Sequence, residues 1–340
     1  MVRFAIIGTG AIAKQHAIAI TMNPKAEIVA VCDMNKARAT EFAKEYNASK
    51  VYENYLDVCD DPEIDAVSIC TPSGTHGQIA IAAAKHGKHI LCEKPIETKK
   101  EKIDELIREV GMNGVKMECV YQRRLQEIPR RVKLALESGE FGKVLMASAY
   151  LKYYRSEEYY KSSGWRATWE FDGGGCLMNQ GVHGVDLISW FMGGVKKVNA
   201  ITKTQFHNIE VEDAAVAVVE YNNGAIGVIE GSTCVNPGQN ARFDIHCENG
   251  TISFDDEGVL QWVLNGEKVQ FVKKQDEGVV APKDNPMNIS ADGHCALVDD
   301  LVESINNDRE PMIAPRDARG AVDTILAIYE SSRTGKEVYL

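Results

Sequence analysis

The chain has 340 residues, beyond the size at which one hydrophobic core ordinarily stops growing, so two domains are expected. Its formal charge of -11 comes with no cluster of lysine and arginine, which argues against nucleic acid and against an anionic membrane surface as partners. Nine cysteines stand singly, without a Cys-x-x-Cys pair or zinc spacing, and no segment approaches the ~18 unbroken apolar residues of a membrane span. The reading is a cytoplasmic protein with no membrane partner, and the absence of a charged leader before the first strand implies no cleavable signal.

Residues 2–7 read as a short apolar strand, followed by Gly8-Thr9-Gly10-Ala11-Ile12-Ala13 and a helical pattern to about residue 22. In that context the first glycine permits a tight turn and the second lets the backbone approach a pyrophosphate. Ala13 then allows the helix to lie close on a sheet, and the N–H groups at the helix start face the phosphates. The strand at 28–32 ends at Asp33, whose carboxylate suits an adenosine ribose and repels a 2'-phosphate. NAD is therefore the expected cofactor, with Lys36 and Arg38 close enough to keep NADP in view. Asp33 also fits as the N-cap of a helix over 36–45, and both roles stay open.

Further strands are expected at 66–70, 88–92 and 115–119, with helices at 37–46, 78–86 and 99–110 in the intervals. This βα alternation predicts a mostly parallel, dinucleotide-binding Rossmann domain over residues 1–120. Ligands of such sheets sit beyond the carboxyl ends of the strands, which singles out Thr71, Pro72 and His76 after one strand and Glu93-Lys94-Pro95 after the next. Thr71 and Pro72 are assigned to the nicotinamide side. His76 is counted with the cofactor loop, although capping or packing at the following helix competes for it.

After residue 119 the alternation stops. A helix is expected at 129–138, a long strand at 144–153, a polar and aromatic loop over 155–171, and a helix over 177–191 entered through Gly173-Gly174-Gly175. Strands follow at 197–205, 214–221, 225–232, 242–247, 251–254 and 260–263, with hairpin signals at Asn222-Asn223-Gly224 and Asn249-Gly250. The fold class is thus α/β. A C-terminal α/β domain over 121–340 carries a large, mostly antiparallel open sheet, and its last helix, 317–332, packs back near the first domain. The sheet's free face suits a substrate or a second subunit.

Asn179, His183 and Asp186 recur at helical spacing, which predicts one shared face. Asn179 bonds a diol, His183 exchanges a proton near neutral pH, and Asp186 orients the imidazole or meets the substrate. Without a second histidine or a cysteine this is a poor zinc set, so no metal is expected. Lys94 is the cation suited to stabilise alkoxide character while hydride leaves the same carbon. Gln122, just past the last Rossmann strand, is a pocket candidate that serves equally well as a polar contact at the domain junction.

Taken together, the fingerprint, Thr71-Pro72 with His76, Glu93-Lys94-Pro95, and Gly173-Gly174-Gly175 with Asn179, His183 and Asp186 resemble the Gfo/Idh/MocA family of sugar and cyclitol oxidoreductases. The resemblance covers almost the whole chain. It implies an NAD-dependent dehydrogenase with Lys94 and His183 as catalytic residues, a sugar, cyclitol or nucleotide-sugar substrate, and assembly as a homodimer or homotetramer through the sheets. Asn179 stands where inositol- and glucose-type members often carry aspartate. Tyr154-Arg155, Tyr159-Tyr160, Trp165-Arg166 and Trp169-Glu170 are similar to the branch that oxidises UDP-N-acetylglucosaminuronate at C3. On that resemblance, Arg155 or Arg166 meets a substrate carboxylate or phosphate. Two other activities share this machinery: an NAD-assisted glycosidase or lyase, and a non-catalytic NAD- and sugar-binding protein.

Overall fold

The computed structural model describes residues 1–269 and 291–340. They form two compact units, 1–122 with 291–319 and 123–269 with 320–340. The first is built on six strands, β1 (Val2–Ile7), β2 (Ala26–Cys32), β3 (Lys50–Tyr52), β4 (Ala66–Ile69), β5 (His89–Cys92) and β6 (Met117–Cys119). All pair in parallel, in the order β3-β2-β1-β4-β5-β6. Helices α1 (Ala13–Met22), α2 (Lys36–Glu45), α3 (Tyr55–Asp60), α4 (His76–Lys85) and α5 (Lys100–Met112) fill the crossovers. Phe4, Ala5, Ile6, Ala66, Val67, Ile90 and Leu91 are wholly buried; strands covered on both faces read as unbroken apolar runs, which is why they were legible. The exceptions are β3 and α3, which the sequence reading passed over. The three residues of β3 are only half-buried on an edge strand, and polar side chains anchor it: Lys50 Nζ and Tyr52 Oη reach Asp61 at 2.6 and 2.7 Å.

The second unit begins with α6 (Glu127–Glu137), β7 (Val144–Lys152) and α7 (Glu157–Lys161). A π-helical turn (Cys176–Gly181) then leads into α8 (Val182–Met192). Strands β8 (Val195–Lys203), β9 (Ala214–Tyr221), β10 (Ile226–Ser232), β11 (Arg242–Cys247), β12 (Gly250–Asp255), β13 (Gly258–Leu264) and β14 (Glu267–Lys268) follow. The chain continues with α9 (Asp292–Asn306), α10 (Pro315–Thr334) and β15 (Val338–Tyr339). The nine-stranded sheet runs β14-β13-β12-β11-β7-β10-β9-β8-β15, and only β7 and β10 pair in parallel. One face packs Ala149, Leu151, Val198, Val219, Ile229, Phe243 and Phe254 into a core. Along β8, β9 and β10 the alternating residues Ile201, Val216, Val218 and Ile226 are exposed.

The expected division at residue 120 is corrected in one respect. The chain after 121 is not a single body, because α9 belongs to the first unit. It packs on α1 through a face that buries Leu297, Val298, Leu301 and Val302, and Asn23 Nδ2 donates to Asp299 at 2.6 Å. The helix expected at the C-terminus also differs from expectation, since only its first turn, to residue 319, lies in the first unit. From residue 320 it belongs to the second, where Ser331 and Ser332 accept the N–H groups of Ala200 and Thr202 on β8. Among the described residues no helix is long and apolar enough to cross a membrane.

A carboxyl pair fastens α9 to the first sheet. Glu118 on β6 is fully buried beside Asp300 of α9, and Asp300 also binds Arg309 at 2.6 Å and the Met312 N–H at 2.7 Å. Burial and the neighbouring carboxylate raise Glu118 to about 10, so it keeps its proton and shares it with Asp300. The folded state therefore binds a proton that the unfolded chain releases above its ordinary carboxylate range. Stability falls as pH rises between that range and about 10. Glu118→Gln removes this linkage: guanidinium unfolding is expected to show the variant gaining on wild type by up to about 1.4 kcal/mol per pH unit between pH ~5 and ~8.

Candidate active site

Gly8 leaves β1 with φ of 91°, and a Cβ there would lie 2.7 Å from the Cys70 carbonyl oxygen, so no other residue fits the turn. Above Gly10 the space is open, Ala11 is exposed, and Ile12 is the half-buried N-cap of α1. Ala13 is wholly buried, and the first turn of α1 carries no acidic residue, so no side-chain carboxylate opposes an anion at the positive end of its dipole.

Asp33, at the end of β2, accepts the Thr9 N–H at 3.0 Å and hydroxyl at 2.7 Å, the Asn35 N–H at 2.8 Å, and Arg38 at 2.8 and 3.0 Å. Burial alone would raise this carboxyl, but the donors from Arg38, Thr9 and Asn35 hold it below the usual range. The capping role is corrected: Asn35 caps α2 by accepting the Arg38 N–H at 3.2 Å. An open glycine turn, a helix start with no acidic side chain and an ionised carboxylate 24 residues on from Thr9 fit an adenine dinucleotide.

Thr71 follows β4 and accepts the Thr75 hydroxyl at 2.8 Å; Pro72 begins the short turn Ser73–Thr75. His76, counted with the cofactor loop, is 1% exposed, and its ring nitrogens lie 2.7 Å from the Pro95 carbonyl and 2.8 Å from the Thr71 carbonyl. Its part is corrected to that of a brace joining the loop after β4 to the loop after β5. Glu93 is likewise turned inward, bound to two histidines, while Lys94 beside it is half-buried. Gln122 lies in the turn Gln122–Leu125, and its Oε1 is buried without a hydrogen-bond partner among the described residues.

In the second unit the glycine run is explained by two distant side chains that local sequence could not reveal. Glu212 accepts the N–H groups of Gly175 and Leu177 at 2.8 and 2.9 Å and the Tyr329 hydroxyl at 2.8 Å. A Cβ on Gly175 would stand 1.8 Å from the Glu212 carbonyl oxygen, and one on Gly174 would stand 2.2 Å from Tyr329 Oη. The staple holds the start of the π-helical turn, which corrects the expectation that Asn179, His183 and Asp186 share one α-helical face. Asn179 sits in the wider turn and His183 in α8, so a spacing of four no longer stacks them.

Asn179 donates to Asp172 at 2.6 Å and accepts from Gln180 at 2.7 Å; Gln180 also donates to Tyr159 Oη at 2.7 Å and accepts Arg155 at 3.1 and 2.5 Å. Arg155, expected to meet a substrate anion, is 6% exposed and directs its donors to Gln180 and to the Tyr154 carbonyl at 2.6 Å. It is an interior strut. Arg166 is half-buried, lies 4.6 Å above the Tyr159 ring, and donates to Ser162 at 2.7 Å. Asp186 is 1% exposed, with both oxygens taken by Arg124 at 2.8 and 2.5 Å, a buried ion pair that the sequence reading missed. That pairing corrects its expected substrate contact.

Family models match both halves of the chain. Residues 2–121 fit the oxidoreductase family, NAD-binding Rossmann fold, and residues 130–253 fit the GFO/IDH/MocA C-terminal domain. The WlbA dehydrogenase of Bordetella pertussis, solved with NADH and UDP-GlcNAcA, is 30% identical with a TM-score of 0.88, covering 100% of this chain and 98% of that one. The scyllo-inositol 2-dehydrogenase (NAD(+)) of Bacillus subtilis is 26% identical across 100% of this chain and 96% of that protein. Levoglucosan dehydrogenase of Pseudarthrobacter phenanthrenivorans is 26% identical over 74% and 72%. Fold, fingerprint and these relatives define an NAD-binding oxidoreductase of the sugar and cyclitol dehydrogenase type. The chain belongs to the Gfo/Idh/MocA family.

Loss of the Asp33 carboxylate removes a charged acceptor worth about 1.5–3 kcal/mol, so Asp33→Ala should weaken NAD binding by about 10- to 100-fold in calorimetric titration. NADP binding should be weakened less, because the repulsion of the 2'-phosphate is lost as well.

Proposed function

We propose that this enzyme oxidises a secondary hydroxyl of a pyranose, at C3 of a nucleotide-linked N-acetylhexosaminuronate, with NAD. The observation that carries this reading is the full-length 30% likeness to a dehydrogenase solved with NADH and UDP-GlcNAcA. The aromatic and arginine-bearing stretch from Tyr154 to Glu170 supports it, because Arg166 is a half-buried guanidinium stacked on Tyr159, suited to a carboxylate or phosphate.

NAD, when bound, supplies the hydride acceptor. His183 takes the hydroxyl proton, and Lys94 stabilises the negative charge that develops on the substrate oxygen. The Asp172-Asn179-Gln180-Arg155 chain of hydrogen bonds holds the polar wall that meets the sugar. Gln122 Oε1, an unsatisfied acceptor, receives a ligand N–H or hydroxyl. We further assign a homodimer or homotetramer formed on the outer sheet face. Ile201 is paired with Val216 there, and Val218 and Ile226 extend the same apolar stripe. The nine free cysteines, seven of them buried, suit a cytoplasmic setting.

Purified protein should form NADH with UDP-N-acetylglucosaminuronate, with mass spectrometry of the product showing a ketone at C3. Myo-inositol, scyllo-inositol and levoglucosan are the comparison substrates, and faster turnover of any of them overturns the nucleotide-sugar assignment. Glycoside cleavage without NADH accumulation would instead mark a glycosidase or lyase. Lys94→Ala and His183→Ala should each lower kcat by about 100- to 1,000-fold with NAD binding kept. Arg166→Ala should raise the substrate KM about tenfold while kcat holds. Val218→Asp should reduce the mass found by light scattering to that of a smaller assembly.

A further inference from the structure

We propose that Glu93 is a positioning residue for Lys94, held by His16 and His294; the inference rests on the assignment of Lys94 to the reaction centre. The three side chains come from distant parts of the first unit: His16 from α1, Glu93 from the end of β5 and His294 from α9. Both histidines are wholly buried, and Glu93 is 6% exposed. Oε1 of Glu93 lies 2.9 Å from His16 Nε2 and 3.1 Å from His294 Nε2, while Oε2 accepts the Lys94 backbone N–H at 3.1 Å.

One arrangement of protons satisfies these contacts. Each imidazole carries its proton on Nε2 and donates it to Oε1, Ser68 Oγ donates to His16 Nδ1 at 2.7 Å, and the carboxylate stays ionised. The electrostatics agree. Burial favours neutral His16, and the imidazole donors hold Glu93 well below the usual carboxylate range against its own burial.

A metal ion gathered by the same three atoms would force both imidazole protons onto Nδ1. His294 Nδ1 is buried without a hydrogen-bond partner among the described residues, so its proton would be stranded there. The hydrogen-bonded form leaves only a lone pair at that atom. The second group with metal-like composition, His207, Asp213 and Cys234, is closed differently: Asp213 accepts three backbone N–H groups, and burial pushes the Cys234 thiol up to about 11.

Because Glu93 Oε2 holds the Lys94 peptide, rotation of the carboxylate moves the Lys94 backbone, and a misplacement of ~1 Å at a reacting group lowers rate by about 100-fold.

The test compares full-length Glu93→Gln, His16→Met, His294→Met, His16→Gln and His294→Gln with wild type. Methionine fills the volume without a donor, whereas glutamine returns an N–H near the Nε2 position. The methionine variants should lose about 100-fold in kcat on whichever substrate of the panel wild type turns over, with KM for NAD within about threefold, and the glutamine variants should recover most of it. A second readout needs no substrate. The rate of reductive methylation of Lys94 by formaldehyde and cyanoborohydride, read by mass spectrometry against exposed lysines, should change in Glu93→Gln and both methionine variants and return in the glutamine ones. Glu93→Gln, which preserves side-chain shape, decides the matter if a methionine variant fails to fold by circular dichroism. Unchanged Lys94 labelling in a folded Glu93→Gln protein overturns the proposal, as does stoichiometric zinc or iron that the histidine variants lose. A wild type inert on the whole panel would refute the proposed function, while the labelling pattern would still decide the role of Glu93.

Discussion

A parallel sheet with short right-handed crossovers obliges every strand to begin at one edge and end at the other. The site in the first unit depends on that constraint. With β1 between β2 and β4, the chain winds outward in both directions from the centre, and the loops after β1 and β4 diverge at the carboxyl edge. Gly8, Asp33, Thr71 and Lys94 are far apart in sequence, yet each lies within two residues of the end of a strand in this one ladder. The loops are then braced to one another by Thr9 on Asp33 and by His76 between Thr71 and Pro95, so the edge is stiff before any ligand arrives.

Most of this was legible because the signals were local. Strands buried on both faces are apolar throughout, and the turn at Gly8 needs only the residues that make it. Several features not legible there depend on partners remote in the chain. Asp33 and Asn35 are both good capping residues by composition; only the finished β2 end shows that Asn35 caps while Asp33 gathers Thr9 and Arg38. Glu212 explains the glycine run, and Arg124 takes Asp186, across separations that no local pattern encodes. The π-helical turn carries no distinctive composition, so a regular helix was the natural reading of that stretch. Helix α9 is the instructive omission: Leu297, Val298, Leu301 and Val302 repeat at helical spacing and were available to be found.

The second unit shows how polar groups are arranged when several must stay fixed at once. Asp172, Asn179, Gln180, Tyr159 and Arg155 satisfy one another in a chain of hydrogen bonds, so each donor leaves the next acceptor little freedom to turn. The two arginines singled out from sequence thereby separate. Arg155 is part of the supporting network, whereas Arg166 rests on an aromatic face near the surface. Similar composition in neighbouring turns thus builds an interior network in one case and a half-buried, ring-stacked guanidinium in the other.

Helix α9 also sets an order on how the protein is made. The dinucleotide-binding half looks complete by residue 120, yet α1 keeps an uncovered apolar flank and Glu93 lacks one of its two imidazoles until residues beyond 291 have left the ribosome. The nascent N-terminal half must therefore wait through the synthesis of β7 to β14 before its interior closes. A gene fragment cut at the apparent domain boundary would encode a fold with an open seam.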